Sequence, residues 1–182
     1  MKDIYVVRLN ASGDTLWTKL YGNAGGNDMA RSVIQTTDGG FAIAGETQSG
    51  AGLIDATITK IDASGNLLWS KAFGENKDDL AHAIIEMNDE GLVLAGQALS
   101  YSANSYDEIF LVKVDKNGAL LWAKTLSGGS GEIARSIAKT FDGGFVIAGD
   151  ENSINYGAYL AKFNSNGDTA WCKTYRAAYY SY

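Results

Sequence analysis

The 182-residue chain carries a formal net charge of -6, is 46% hydrophobic and 20% charged, and contains one cysteine, one histidine and no proline. That balance fits one globular domain large enough to bury a core, and its net acidity with scattered Lys and Arg argues against a sequence-independent grip on nucleic-acid phosphates. A lone Cys172 excludes an intrachain disulfide framework and a cysteine zinc cluster, a lone His82 excludes a multi-histidine metal site, and no apolar run approaches the roughly 20 residues of a membrane-spanning helix.

The first ten residues, MKDIYVVRLN, lead into a strand without a signal-peptide pattern. Residues 4–9 (IYVVRL) and 15–21 (TLWTKLY) are rich in β-branched and aromatic types and flank Asn10-Ala-Ser-Gly13, which predicts a hairpin. The same turn recurs at Asp62, Asp115 and Asn164 with glycine fourth each time. An Asp or Asn side chain there can accept from the turn's amides, and glycine supplies a positive φ.

Small or polar loops follow, and then segments led by an acid: DMARSVI from Asp28, DLAHAII from Asp79 and EIARSIA from Glu132. A helix fits these segments locally, but only about ten residues separate each from the next turn, so strands agree better with their surroundings. Asp38, Asp89 and Asp142 then open Asp-Gly or Asp-Glu-Gly turns into the runs FAIAG, LVLAG and FVIAG. Those runs lack polar alternation and should lie mid-sheet with both faces covered. Variable loops come next, 46–54, 97–107 and 150–157, carrying Tyr101, Tyr106 and Tyr156. Trp17, Trp69, Trp122 and Trp171 recur at spacings of 52, 53 and 49 residues, so the chain is a repeat array.

Four short strands in about 52 residues match one blade of a β-propeller. The unit written by Asp28, Ala30, Ser32, Thr36, Asp38, Gly39, Gly40, Phe41, Ala44, Gly45, Thr47, Ser49, Asp55, Lys60, Asp62, Gly65, Trp69, Lys71, Phe73 and Gly74 resembles the propeller repeat of secreted and cell-surface bacterial and archaeal proteins. Its hairpin of pattern DxxGxxxW is also similar to quinoprotein-like and WD40-like propeller repeats. The resemblance spans residues 3–175 and implies an all-β propeller and an extracellular or cell-surface location, with no catalytic motif. The second repeat departs most, with Glu90-Gly91 for Gly-Gly, Ala83 for the serine and Ala98 for the threonine.

With the acid-led strand innermost, the chain reads as one domain of three and a half blades: a half blade at 3–21, blades at 28–73, 79–126 and 132–175, and a tail at 176–182. A lone two-stranded hairpin is marginal and its edge invites another chain, so the expected partners are further copies of this chain or further blades of a longer one. With the acid-led strand outermost, the chain is nearly four blades and a small closed monomer is open to it.

The acid-to-base pairs Asp28 and Arg31, Asp79 and His82, Glu132 and Arg135 suit either a polar pocket at a channel mouth or ion pairs and loop caps that hold the repeats together. Spacing of three in a regular strand puts each pair on opposite faces. The four tryptophans should bury their rings between adjacent blades and donate their N–H to a backbone carbonyl. Cys172 replaces Thr18, Ser70 and Ala123 and reads as a small side chain in a tight column. The Asp/Asn turns lack the ligand set of a calcium loop, and neither metal nor cofactor is expected. The tail AAYYSY suits a strand docking on a partner's open edge or a frayed terminus. The leading expectation is a non-enzymatic scaffold for protein or glycan interaction or self-assembly, with Tyr101, Tyr106 and Tyr156 among its contact residues. A hydrolase or lyase using Asp28, Asp79 and Glu132, or a fragment without activity of its own, is the alternative.

Overall fold

The fold is that of a computed structural model describing residues 2–23, 25–48, 53–100, 107–127, 131–151 and 157–176. Tyr101, Tyr106, Tyr156 and the aromatic tail fall outside the described residues.

All regular structure among the described residues is β, in four antiparallel sheets taken in chain order. β1 (Ile4–Leu9) and β2 (Thr15–Tyr21) make a two-stranded sheet. β3 (Asp28–Gln35), β4 (Phe41–Gln48), β5 (Ile54–Ile61) and β6 (Leu67–Phe73) make the second sheet, in that order. The third sheet is β7 (Asp79–Glu86), β8 (Leu92–Ala98), β9 (Glu108–Val114) and β10 (Leu120–Leu126). The fourth is β11 (Glu132–Lys139), β12 (Phe145–Glu151), β13 (Gly157–Phe163) and β14 (Thr169–Arg176).

The hairpins form as their side chains dictate. Asp62 Oδ1 accepts from the amides of Ser64 and Asn66, both at 2.8 Å, and Asp115 Oδ1 does the same for Asn117 and Ala119 at 2.9 and 2.8 Å. Asn10 and Asn164 repeat the arrangement with neutral amides. One side-chain oxygen thus closes two turn amides that a bare backbone would leave to water.

The sheets stack face to face and do not close on one another among the described residues. One apolar layer joins the second and third sheets, with Ala42, Ala44, Ala56 and Ile58 against Ala81, Ile84, Leu94 and Phe110. A second joins the third and fourth, with Val93, Ala95 and Leu111 against Ile137, Phe145, Ile147 and Phe163. The middle strands β4, β5, β8 and β9 are buried nearly throughout, as the apolar runs FAIAG of β4 and LVLAG of β8 require. Acid-led β7 packs on β3, β4 and β5, and β11 packs on β7, β8 and β9, while tryptophan strand β14 is exposed along its length. The acid-led strands are therefore the ones that carry the contacts from sheet to sheet. Each four-stranded sheet has its acid-led strand at one edge and its tryptophan strand at the other.

Candidate functional site

Each acid-led strand opens on a buried carboxylate: Asp28, Asp79 and Glu132. Asp28 Oδ2 accepts from the Asn23 amide at 2.9 Å. Asp79 accepts from the amides of Glu75 at 3.2 Å and Ser100 at 3.3 Å, and from the Ser100 hydroxyl at 2.5 Å. Asp28 and Asp79 thus pin the loops beside their strands, which is the chemistry of a loop cap. A second carboxylate approaches each of these two: a β-carbon at Gly22 would meet Asp3 Oδ1 and Asp28 Oδ2, and one at Gly74 would meet Asp55 Oδ1 and Asp79 Oδ2. Asp55 Oδ1 is buried without a partner, and burial, then the charges of Asp79 and Asp78, raise the Asp55 pKa.

The basic column comes from an irregularity that alternation does not foresee. The register of the first strand pair in each four-stranded sheet slips between Ala30 and Ser32, Ala81 and Ala83, and Ala134 and Ser136, so Arg31, His82 and Arg135 are each the extra residue of a β-bulge. The expectation of opposite faces assumed a regular strand and does not apply. The bulge also explains the Ala-Gly ending of the following strand. A β-carbon at Gly96 would stand 1.8 Å from Leu80 O and one at Gly149 1.8 Å from Ile133 O, so only glycine lets the bulged backbone approach.

Released from the ladder, the three basic side chains reach the residue after that glycine. Arg31 pairs with Glu46 at 2.9 Å, His82 with Gln97 at 3.0 Å and Arg135 with Asp150 at 2.7 Å. None of the three is bonded to its acid of the sequence expectation. Gln97 also donates to Asp107 at 3.0 Å, and Arg135 Nη1 lies 3.5 Å from His82 Nε2, linking two sheets. Burial depresses the His82 pKa and Arg135 and Arg31 add to the effect, while Gln97 and Glu46 oppose it. Glu46 Oε2 is buried without a hydrogen-bond partner. The sequence placed Glu46, Gln97 and Asp150 in variable loops. They belong instead to β4, β8 and β12, and their signal was their place directly after Ala-Gly in every repeat.

A third column locks strand to turn. Lys60, Lys113 and Lys162 reach Asp38, Asp89 and Asp142 at 2.8, 2.6 and 2.7 Å. The lysines are nearly buried at their heads while the aspartates sit at the surface.

The tryptophans are half-buried rather than enclosed. Trp17 Nε1 donates to Ala63 O at 3.3 Å and Trp69 Nε1 to Lys116 O at 3.2 Å, each in the next sheet's hairpin turn. The rings of Trp17, Trp69 and Trp122 lie against Gly65, Gly118 and Gly167 of those turns. Trp171 departs from the expectation: it is 44% exposed, because no described sheet follows its own. Cys172, expected in a tight column, is exposed on the same outer strand.

The two-stranded sheet has the least cover. Tyr5, Val7 and Leu9 of β1 and Leu16 and Leu20 of β2 are exposed. Beyond β2, the pairing of this segment among the described residues is a single bridge from Lys2 to Asn27. A cleft of about 410 Å³ runs between β1 and β3, walled by Val6, Leu9, Trp17, Val33, Ile34 and Phe41.

No protein-family model matches the chain, and no curated protein matches it. Sixteen chains of solved structures match. One of them is the crystal structure of Sqt1 from Chaetomium thermophilum, 15% identical with a TM-score of 0.43, the match covering 84% of this chain and 36% of that one. This chain thus spans well under half the length of that structure.

Proposed function

We propose that this chain is a partial β-propeller of three and a half blades that works by interaction rather than catalysis, as a scaffold for protein or glycan partners or for further copies of itself, at the cell surface that its repeat resemblance implies. The observation that carries this reading is the two-stranded β1–β2 sheet, left with an apolar face in solvent in a molecule whose other three repeats each have four strands. A hairpin of that size is marginal alone, and an uncovered apolar edge is a template for another chain. The buried acids support the same reading, since Asp28 and Asp79 are committed to loop amides.

Light scattering on the purified chain tests the assembly arm. The expected result is a discrete species heavier than the 19.4 kDa monomer, which falls to the monomer when Tyr5 and Val7 are both changed to Lys. A strict monomer at all concentrations overturns self-assembly. Glycan-array and partner-binding measurements on that monomer then test the loop surfaces.

A further inference from the structure

We infer that the open edge of β1 is a docking site for a β-hairpin of this same repeat type, an acid-led strand joined to an apolar strand through an Asp-Gly-Gly turn and carried by another polypeptide, with Arg8 as the receptor for the turn's aspartate. The inference rests on the partial-propeller reading and adds the chemistry of the partner.

Arg8 holds the lysine position of the column already described. It precedes Leu9 and the Asn10 turn as Lys60 precedes Ile61 and Asp62, Lys113 precedes Val114 and Asp115, and Lys162 precedes Phe163 and Asn164. Lys113 makes two contacts, one to Asp89 and one at 3.5 Å to Ser165 O in the next sheet's hairpin turn. Arg8 makes the second of these, to Ala63 O at the matching place in its neighbour, and rests 5.3 Å from the centre of the Phe41 ring. The first is missing: among the described residues, no carboxylate pairs with Arg8, because its sheet lacks the hairpin that would bring one.

Packing points to the same absent element. Val33 on β3 corresponds to Ile84 on β7 and Ile137 on β11; it is 58% exposed where they are 3% and 8%. Ala30 is exposed where Ala81 and Ala134 are fully buried. Ala81 and Ile84 owe their cover to Ala42 and Ala44 of β4 together with Ala56 and Ile58 of β5. β1 supplies the counterparts of Ala56 and Ile58 in Ile4 and Val6, and nothing described supplies those of Ala42 and Ala44. The absent strand is therefore the apolar one that follows an Asp-Gly-Gly turn. The cleft between β1 and β3 stands where it would lie. Main-chain pairing to β1 would give affinity, and the Arg8–Asp pair would fix register.

The probe is a labelled peptide of residues 28–48, titrated into the full chain, with hydrogen exchange read at the β1 amides. Saturable one-to-one binding is expected, with slower exchange along β1. Asp38→Asn in the peptide, or Arg8→Glu in the chain, should weaken binding about tenfold. Should the peptide aggregate, residues 28–53 fused ahead of Lys2 replace it. The fusion should melt higher and protect β1, and Asp38→Asn in the fused copy should remove part of the gain. Binding indifferent to both substitutions, or β1 amides that stay fast with peptide and fusion alike, overturns the inference. So does a free chain whose β1 amides are already protected within a self-assembled species, an outcome that leaves the assembly reading standing. A monomer that captures the hairpin overturns self-assembly and upholds the docking site.

Discussion

The Trp69 ring lies over Gly118 of the following sheet, so close that a β-carbon on the glycine would stand 2.8 Å from the ring's Cδ2. With the indole N–H on Lys116 O, this one side chain ties the outer strand of one sheet to the hairpin of the next. Because the ring is half-buried, Trp69→Ala should cost about 2–4 kcal/mol in urea unfolding. Gly118→Ala should also destabilise, since ring or turn must shift. Trp171, with no turn beneath it, should tolerate alanine within about 0.5 kcal/mol. Equal losses at Trp69 and Trp171 would remove the inter-sheet role.

Glu90 sits at φ 61°, where Gly39 and Gly143 of the other repeats have φ 81° and 83°. A side chain in that left-handed region costs on the order of 1 kcal/mol. Its compensation is a surface ion pair with Lys116 at 3.0 Å, which solvent screens. Glu90→Gly should raise stability by about 0.5–1 kcal/mol, and Glu90→Ala should not. A gain from alanine equal to that from glycine would show that the strain lies elsewhere.

The hairpin turns and the four-stranded repeats were legible because each rests on short-range chemistry: an Asx side chain closing its own turn at Asp62, or an unbroken apolar run such as LVLAG placing β8 mid-sheet. The basic column was legible only as residue types. Its partners Glu46, Gln97 and Asp150 were hidden because the bulges at Arg31, His82 and Arg135 break the two-residue period from which faces are read. Trp171 was misplaced because a repeat pattern says what each copy contains and not what lies beyond the last one. The Arg8 relation was hidden for a similar cause, since Arg in place of Lys and the missing turn separate β1 from its counterparts in any simple alignment.

Asp38 is held at a pKa of about 2, below its ordinary 3.8, first by the Lys60 hydrogen bond and then by Thr36. A folded-state value below the unfolded one stabilises the fold above about pH 4, and that contribution is lost as pH falls through about 2. The aspartate is largely in solvent, so the pair is screened, and Asp38→Asn should cost about 1 kcal/mol at pH 7. The cost should shrink as pH falls toward 2 and vanish below it. A cost that persists there belongs to the turn geometry and not to the charge.

His82 shifts stability in the same direction but over a higher pH range. Burial lowers its folded-state pKa, so the unfolded chain binds the proton more readily and stability falls as pH drops below about 6.5. His82→Gln, which keeps a hydrogen-bonding side chain near Gln97, should flatten the stability curve between about pH 5 and 7. An unchanged slope would mean that another group controls that window.

Asp55 carries a raised pKa because burial, then Asp79 and Asp78, disfavour its charge, and its Oδ1 has no hydrogen-bond partner. A carboxylate whose folded-state pKa is above the unfolded value subtracts from stability at neutral pH, and the penalty lifts as pH falls through the folded-state value. Asp55→Asn removes the charge at nearly constant volume and offers an amide hydrogen toward Asp79. At pH 7 the variant should be more stable by about 0.5–1 kcal/mol, the partial exposure of the site keeping the gain modest. Below about pH 4, where the wild-type carboxyl is protonated, the two proteins should unfold alike. Loss of stability at pH 7 would mean that the carboxylate is satisfied in its charged form, and the strain assigned to this corner of the fold would then be absent.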